Sequence, residues 1–314
     1  MRNFLARRLM FSALSMIVAS MAVFGLAHAK EDPINLFIQP GYFMAPETLA
    51  ALKAKWGLDK PLVLQYLTWA GNMLRGDLGD SVQQSRPVTT IVGEKWGATA
   101  QLAIVAWIFG TITGIPLGIL SALKRGSPTD YFARGFALFG QSLPAFWVGL
   151  VGIWIFAVYL GWLPVFGRGA GLPFFEQAKH YVLPVLVLGW GPMAGYMRIT
   201  RSAMLEVLDS EYIKLARAKG VSERSVIWKH ALRNAIIQPL TIATLLLAGF
   251  MDGAVLVEVI FAWPGVGRVA VEAVNSNDFM LITGTVFIFT ALYLFMSLVA
   301  DLLYTVVDPR IRYA

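Results

Sequence analysis

Two carboxylates stand inside an otherwise uncharged apolar stretch. Asp252 and Glu258 are the only charged residues between positions 239 and 262. An ionised carboxylate at the centre of a membrane helix costs about 2.5–3.5 kcal/mol on insertion scales, so it requires a partner or a wet cavity. Asp252, near the middle of the stretch, is thus a candidate functional acid that meets a cationic group. The bland alternatives are a structural ion pair or a span whose true centre lies elsewhere. Glu258 lies about 240° further round a helix of 3.6 residues per turn. The two acids therefore share no face and make no acid–base pair. Glu258 sits just before Trp263, Pro264 and Gly265, where a structural role beneath the turn is expected. Asp301, near the end of the last apolar run, is assigned to structure on the same grounds.

Several other chemistries are excluded. The chain has no cysteine, hence no thiolate metal or redox site. His28, His180 and His230 are scattered, with no pair at metal-ligand spacing. There is no G-x-x-x-x-G-K-[ST] and no Gly-Lys dipeptide, so no loop of that type is available to cradle a nucleotide phosphate.

The elements that must position these residues follow from composition. The 314 residues are 57% hydrophobic and 14% charged, against roughly 25% charged in soluble domains. With a mean hydropathy of +0.63, the chain is an integral membrane protein, and disorder is excluded. Apolar runs of the ~20 residues that cross a bilayer predict six spans, at 9–29, 98–123, 135–160, 180–197, 239–262 and 279–304. The third lies in a charge-free run long enough for a span plus a re-entrant or surface segment. The fourth is short and holds Pro184 and Pro192. Gly110, Gly114 and Gly118 predict close helix packing on the second span. Trp154, Tyr159 and Trp162 fit an interfacial aromatic belt, which makes a nucleic-acid stacking site a poor reading.

Lysine and arginine set the expected orientation. Sixteen of the 26 lie before the first span, between the second and third, in 198–238 and at the C-terminus. Seven of the other ten fall in 30–97, where seven acids balance them. Both termini are therefore expected in the cytoplasm, and the net charge of +7 is a membrane-topology signal. Ala27-His28-Ala29 has the form of a signal-peptide cleavage site, but the preceding apolar run is longer than such peptides use, so retention of the first span is expected.

The expected organisation is a first span over 1–29, a translocated helical insertion over 30–97, a five-helix core over 98–304 and a tail over 305–314. In the insertion, Ala45-Pro46-Glu47 opens one helical pattern that Gly57 ends, and Pro61 to Leu74 forms another stopped at Gly76. Within the core, 198–238 is the longest polar stretch on the cytoplasmic side. Tyr212, Leu215 and Ala216 group at helical spacing. Gly220 and Ser222 mark one helix stopping and another starting, with Ser222 as N-cap. Such a helix either plugs into a groove on a soluble partner or lies among lipid headgroups; the residues alone fit both.

Glu211-Tyr212-Ile213-Lys214-Leu215-Ala216-Arg217-Ala218-Lys219-Gly220, followed by His230-Ala231-Leu232-Arg233-Asn234-Ala235, resembles the cytoplasmic signature of bacterial ABC importer permeases. Its form is similar to that of the dipeptide/oligopeptide/nickel branch. Trp56-Gly57-Leu58-Asp59-Lys60-Pro61-Leu62, Gly76-Asp77-Leu78-Gly79, Pro144-Ala145-Phe146-Trp147, Glu258 to Arg268, and Asp301-Leu302-Leu303-Tyr304 with Asp308 to Arg312 agree with that branch in order. Two stretches depart from it: Asp32-Pro33 is all that remains of a longer motif, and Gln238 stands where a proline is usual.

The resemblance implies an all-α, six-span fold of the type I importer permease class in a bacterial inner membrane. It implies a peptide permease subunit, with nickel chelates, glutathione or another small solute as alternative cargo. The implied partners are a second homologous permease, two ATPase subunits, a substrate-binding protein on the outer face, and membrane lipid. No cofactor is expected in this chain, since ATP and Mg belong to the ATPases. The implied coupling residues are Glu211, Ala216, Arg217, Ala218, Lys219, Gly220 and Ser222. A stand-alone transporter or membrane enzyme would need the paired acids that are missing here, and a purely structural scaffold fits an internal acid poorly.

Overall fold

In hydrocarbon every backbone polar group must be satisfied within the chain, and an apolar run meets that demand by forming a helix. The computed structural model describes residues 2–29, 47–48 and 59–307, and the side chains of 7–25, 47–48, 59–251 and 254–300. The helices, labelled in chain order, are α1 (Arg2–Ala29), α2 (Leu62–Leu74), α3 (Val88–Leu123), α4 (Pro128–Ser142), α5 (Ala145–Tyr159), α6 (Phe174–Leu208), α7 (Glu211–Ala218), α8 (Glu223–Ala235), α9 (Ile237–Ile260), α10 (Val266–Asn275) and α11 (Phe279–Val307). Among the described residues there is no strand, only an isolated bridge between Asp80 and Pro87.

Among the described residues, four stretches are long and apolar enough to cross a membrane alone: Arg7–Gly25, Val88–Leu123, Phe174–Leu208 and Phe279–Ala300. Two bent pairs, α4 with α5 and α8 with Ile237–Met251, bring the number up to six if each pair is one span. The predicted third span is therefore no straight rod, because α4 and α5 meet at 103°. The cause is local. Pro144 pushes the residue before it out of the helical region, and Leu143 is accordingly extended at φ −97°, ψ 134°. Pro144 then serves as N-cap of α5.

The predicted fourth span is the reverse case. It extends to 35 residues and runs through both Pro184 and Pro192, since hydropathy detects only the apolar middle of a helix whose polar ends continue past the lipid. The helix predicted from Pro61 to Leu74 is present, ending at Arg75 with Gly76 at φ +82°. The helix expected to open at Ala45–Glu47 falls largely outside the described residues.

The chain forms two compact units, residues 1–97 with 265–294, and residues 98–264 with 295–314. In the first, Phe24 packs its ring against Tyr66 and Trp69, and Ser20 Oγ lies 2.8 Å from Tyr66 Oη. Asp278, wholly buried, joins the 76–88 segment to α11. Its Oδ2 accepts from Ser81 Oγ (2.5 Å) and Gln83 N (3.1 Å), and its Oδ1 accepts from Leu281 N at the start of α11 (3.1 Å).

In the second unit α6 is the central helix, contacted by α4, α5 and α9. The glycine row on α3 lets it approach α6 closely, as the four-residue spacing predicts. A Cβ at Gly114 would stand 2.5 Å from the Met193 carbonyl oxygen, and one at Gly118 would stand 2.5 Å from that of Met197. Both obstacles are backbone and cannot swing away. Gly118→Val is expected to force the helices apart at about 1–3 kcal/mol or more, read as a lower thermal midpoint of the purified protein. Gly93→Ala, whose Cβ would meet nothing within 4 Å, is the control. Equal midpoints for the two variants would contradict the close packing.

Candidate functional site

The segment after α6 is built as a helical hairpin. α7 starts at Ser210 and runs eight residues; its end is closed by Lys219 N to Leu215 O (3.0 Å), Gly220 N to Arg217 O (2.9 Å) and Val221 N to Ala216 O (3.2 Å). Gly220 takes φ +78°, the left-handed conformation that glycine adopts without a Cβ penalty. Ser222 then sits at the N-cap of α8 with an extended backbone, though its side chain makes no capping bond. Arg217 braces the turn with a forked pair to Glu223, Nη2 to Oε1 at 2.7 Å and Nε to Oε2 at 3.2 Å. Glu211 accepts from Lys214 Nζ at 2.7 Å.

Which face of α7 is buried differs from the grouping of Tyr212, Leu215 and Ala216. Ile213 is wholly buried against a cluster that includes Met204, Val226 and Ala231, and Ala216 is half-buried there. Tyr212 and Leu215 point outward, with Leu215 56% exposed, and Trp228 on α8 is 57% exposed. Helical periodicity groups residues into faces but does not say which neighbour each face meets. The structure leaves an apolar, basic-edged surface uncovered on this hairpin. Ala218, Lys219, Gly220 and Ser222 are also exposed there.

The root of the hairpin is held by ion pairs that the sequence does not announce. Asp130, 1% exposed, receives Arg201 Nε at 2.9 Å and Nη2 at 3.0 Å, Ser121 Oγ at 2.5 Å and Gly126 N at 3.0 Å. Nearby, Arg125 reaches Asp209 at 3.6 Å. The loop between α3 and α4 is thus tied to α6 within its last two turns before α7. The only sequence signal was an acid three residues after Ser127, whose Oγ accepts from Asp130 N.

A cavity of about 550 Å³ opens at the α4–α5 bend. Gln141, Leu143, Trp190, Pro192, Phe250 and Leu256 contribute to its largely apolar wall. Asp252 lies on α9 between Phe250 and Leu256; its side chain, like that of Asp301, lies outside the described residues.

At the far end of α9, Glu258 is wholly buried and its Oε1 accepts from Thr99 Oγ1 at 2.6 Å. The Glu258 carbonyl accepts from Trp263 N at 2.8 Å. Trp263, also wholly buried, donates its indole N–H to Ala98 O at 2.9 Å and meets the Tyr181 ring edge-on at 4.7 Å. Gly265 is the N-cap of α10. Glu258 and Trp263 are therefore brought together in the packing at the α9 turn.

Comparison with known proteins gives a consistent match. The family described as binding-protein-dependent transport system inner membrane component matches residues 114–313, and its N-terminal counterpart matches residues 1–103. The dipeptide transport system permease protein DppB of Alkalihalophilus pseudofirmus is 38% identical, with 98% of each chain covered. The Escherichia coli K12 protein of that name is 37% identical, covering 100% of this chain and 99% of the relative. The oligopeptide transport system permease protein AppB of Bacillus subtilis is 39% identical over 91% of both. Among solved structures, a chain of the MetNI methionine ABC transporter in an inward-facing conformation aligns with a TM-score of 0.54 at 17% identity. The alignment covers 69% of this chain and 96% of that one, a likeness of fold.

Proposed function

We infer that this chain, which belongs to the family of binding-protein-dependent transport system inner membrane components, is the permease subunit of an ATP-binding-cassette importer for peptides. The observation that carries the reading is near-full-length identity of 37–39% to permeases named for dipeptide and oligopeptide transport. The chain lies in the inner membrane with several spans, and on the charge asymmetry both termini face the cytoplasm.

The α7–α8 hairpin is the coupling element, and a groove on a cytoplasmic ATPase covers its outward Tyr212, Leu215 and Trp228. Two such ATPases bind the ATP and Mg. A second homologous permease supplies the other half of the path, and a substrate-binding protein delivers cargo from outside. Closure of the ATPases pushes the hairpin, and the braced root passes that motion into α4 and α6, so that the spans alternate access. The cavity at the α4–α5 bend lies on the path, and Asp252 meets the cationic amino terminus of the cargo. Asp252→Asn is expected to lower peptide uptake several-fold while complex assembly is unchanged; uptake at the wild-type level would remove it from the path.

The reading is tested by purifying the tagged chain from native membranes in mild detergent, identifying what accompanies it by mass spectrometry, and reconstituting the complex with labelled dipeptide. Co-purifying permease and ATPase subunits with ATP-dependent dipeptide uptake are expected. A chain that purifies alone, in a detergent shown to preserve other complexes, would overturn the assembly.

A further inference from the structure

Two arginines stand one turn deeper than the Asp130–Arg201 pair, and among the described residues no carboxylate pairs with either. Arg134 follows Asp130 by four residues on α4, and Arg198 precedes Arg201 by three on α6. At 1.5 Å per residue both lie about 4.5–6 Å further into the apolar body. Among the described residues neither guanidinium forms an ion pair; Arg134 lies over the ring of Tyr131, 5.9 Å from its centroid. Asp130, one turn away on α4, already accepts four hydrogen bonds.

The two arginines line a cleft of about 540 Å³ between α4 and α6, and among the described residues its wall contains no Asp or Glu. Arg134, Arg198, Arg201 and Ser202 line the end near the α7–α8 hairpin, Leu138, Ala194 and Met197 follow, and Gln141, which also lines the cavity at the α4–α5 bend, stands at the other end. Beside it, Phe132, Leu138 and Phe139 on α4 are all more than half exposed.

Cations at one end of the cleft, a largely apolar wall and an exposed apolar rim together suit an amphiphilic anion. Guanidinium forks match phosphate oxygens in a paired geometry, and basic pockets between spans on the cytoplasmic side suit anionic lipid headgroups. We propose that this cleft holds an anionic phospholipid, its phosphate between Arg134 and Arg198 and an acyl chain along Leu138, Ala194 and Met197. With the orientation inferred above, the lipid belongs to the inner leaflet. It sits against the two helices that the Asp130–Arg201 pair joins, and so stabilises the root of the coupling hairpin.

The test uses the complex purified in mild detergent and transferred into bilayer discs of phosphatidylcholine containing a graded fraction of phosphatidylglycerol, with retained lipid measured by native mass spectrometry. Each cation near a membrane surface contributes roughly five-fold in affinity. The double variant Arg134→Gln/Arg198→Gln is therefore expected to hold phosphatidylglycerol about 25-fold more weakly than wild type. Arg134→Lys/Arg198→Lys, which keeps the charge and loses the fork, falls between them. Both arginines are exposed, so the variants fold. A photo-reactive side chain at Leu138 is expected to cross-link lipid. Equal retention of phosphatidylglycerol by wild type and the double glutamine variant would overturn the proposal. So would cross-linking at Leu138 to a second permease or to peptide cargo in place of lipid.

Discussion

Asp130→Asn is expected to lower the stability of the purified protein by about 3 kcal/mol, the lower end of the cost of breaking a buried ion pair by removing one partner. The lower end applies because Arg201 keeps 20% of its side chain exposed. The loss arises less from the missing attraction than from what remains: a guanidinium packed between α4 and α6 with no anion facing it. The double variant Asp130→Asn/Arg201→Gln leaves no charge unpaired and is expected to recover part of the loss, which is the signature of direct coupling in a mutant cycle. Unfolding midpoints of the wild type, the two single variants and the double variant give the four corners. If the single-variant losses simply add in the double, the two groups do not act as a pair. Because the pair ties the α3–α4 loop to α6 two turns before the α7–α8 hairpin, transport is expected to fall with stability. The fall should be largest at temperatures where part of the single variant is already loosened.

Gly220→Val is expected to reduce ATP-driven peptide uptake about ten-fold or more while membrane insertion persists. Its φ of +78° is a conformation that costs an L-residue about 1–2 kcal/mol and a β-branched one more. About 1.4 kcal/mol is a factor of ten in an equilibrium. The chain can relieve the strain only by opening the turn between α7 and α8, which changes the angle at which the hairpin meets its partner. Space is not the obstacle, since a Cβ at Gly220 would meet nothing within 4 Å. Gly220→Asn, a residue that tolerates the left-handed region, should therefore keep most of the uptake. By contrast, Arg217→Gln removes an exposed pair worth about 0–1 kcal/mol and should have a far smaller effect. ATPase activity and uptake are read together in proteoliposomes: the valine variant should hydrolyse ATP without a matching gain in transport. Uptake by Gly220→Val equal to that of wild type would show that the hairpin angle does not matter.

The contrast between these two predictions reflects what could be read from residues alone. Gly220, Ser222 and the helical pattern on either side were legible because a helix stop is a local event: one residue's accessible φ decides it. Gly114 and Gly118 were legible as a close-packing stripe for the same reason, although the sequence named no partner for them. The bend at Leu143–Pro144 follows from a pairwise steric rule, yet its 103° angle depends on how α4 and α5 each pack on α6. Burial of Ile213 in place of Tyr212 and Leu215 was invisible, because spacing defines a face without defining what the face meets.

Membrane class, the runs that become helices, the charge asymmetry, the family signature and the punctuation of the α7–α8 hairpin are all legible along the chain. All of these are sums or neighbours along the chain: transfer free energies accumulate residue by residue, and turns are set by one or two dihedral angles. Helix packing is what brings Asp130 to Arg201, 71 positions away, sets Asp278 against Ser81 across 197, and leaves Arg134 and Arg198 facing a cleft with no acid among the described residues of its wall. A charge's partner is set by distance through space, and the Coulomb and hydrogen-bond energies that join the two fall off over a few ångströms. Separation along the chain carries no such information until the helices are packed.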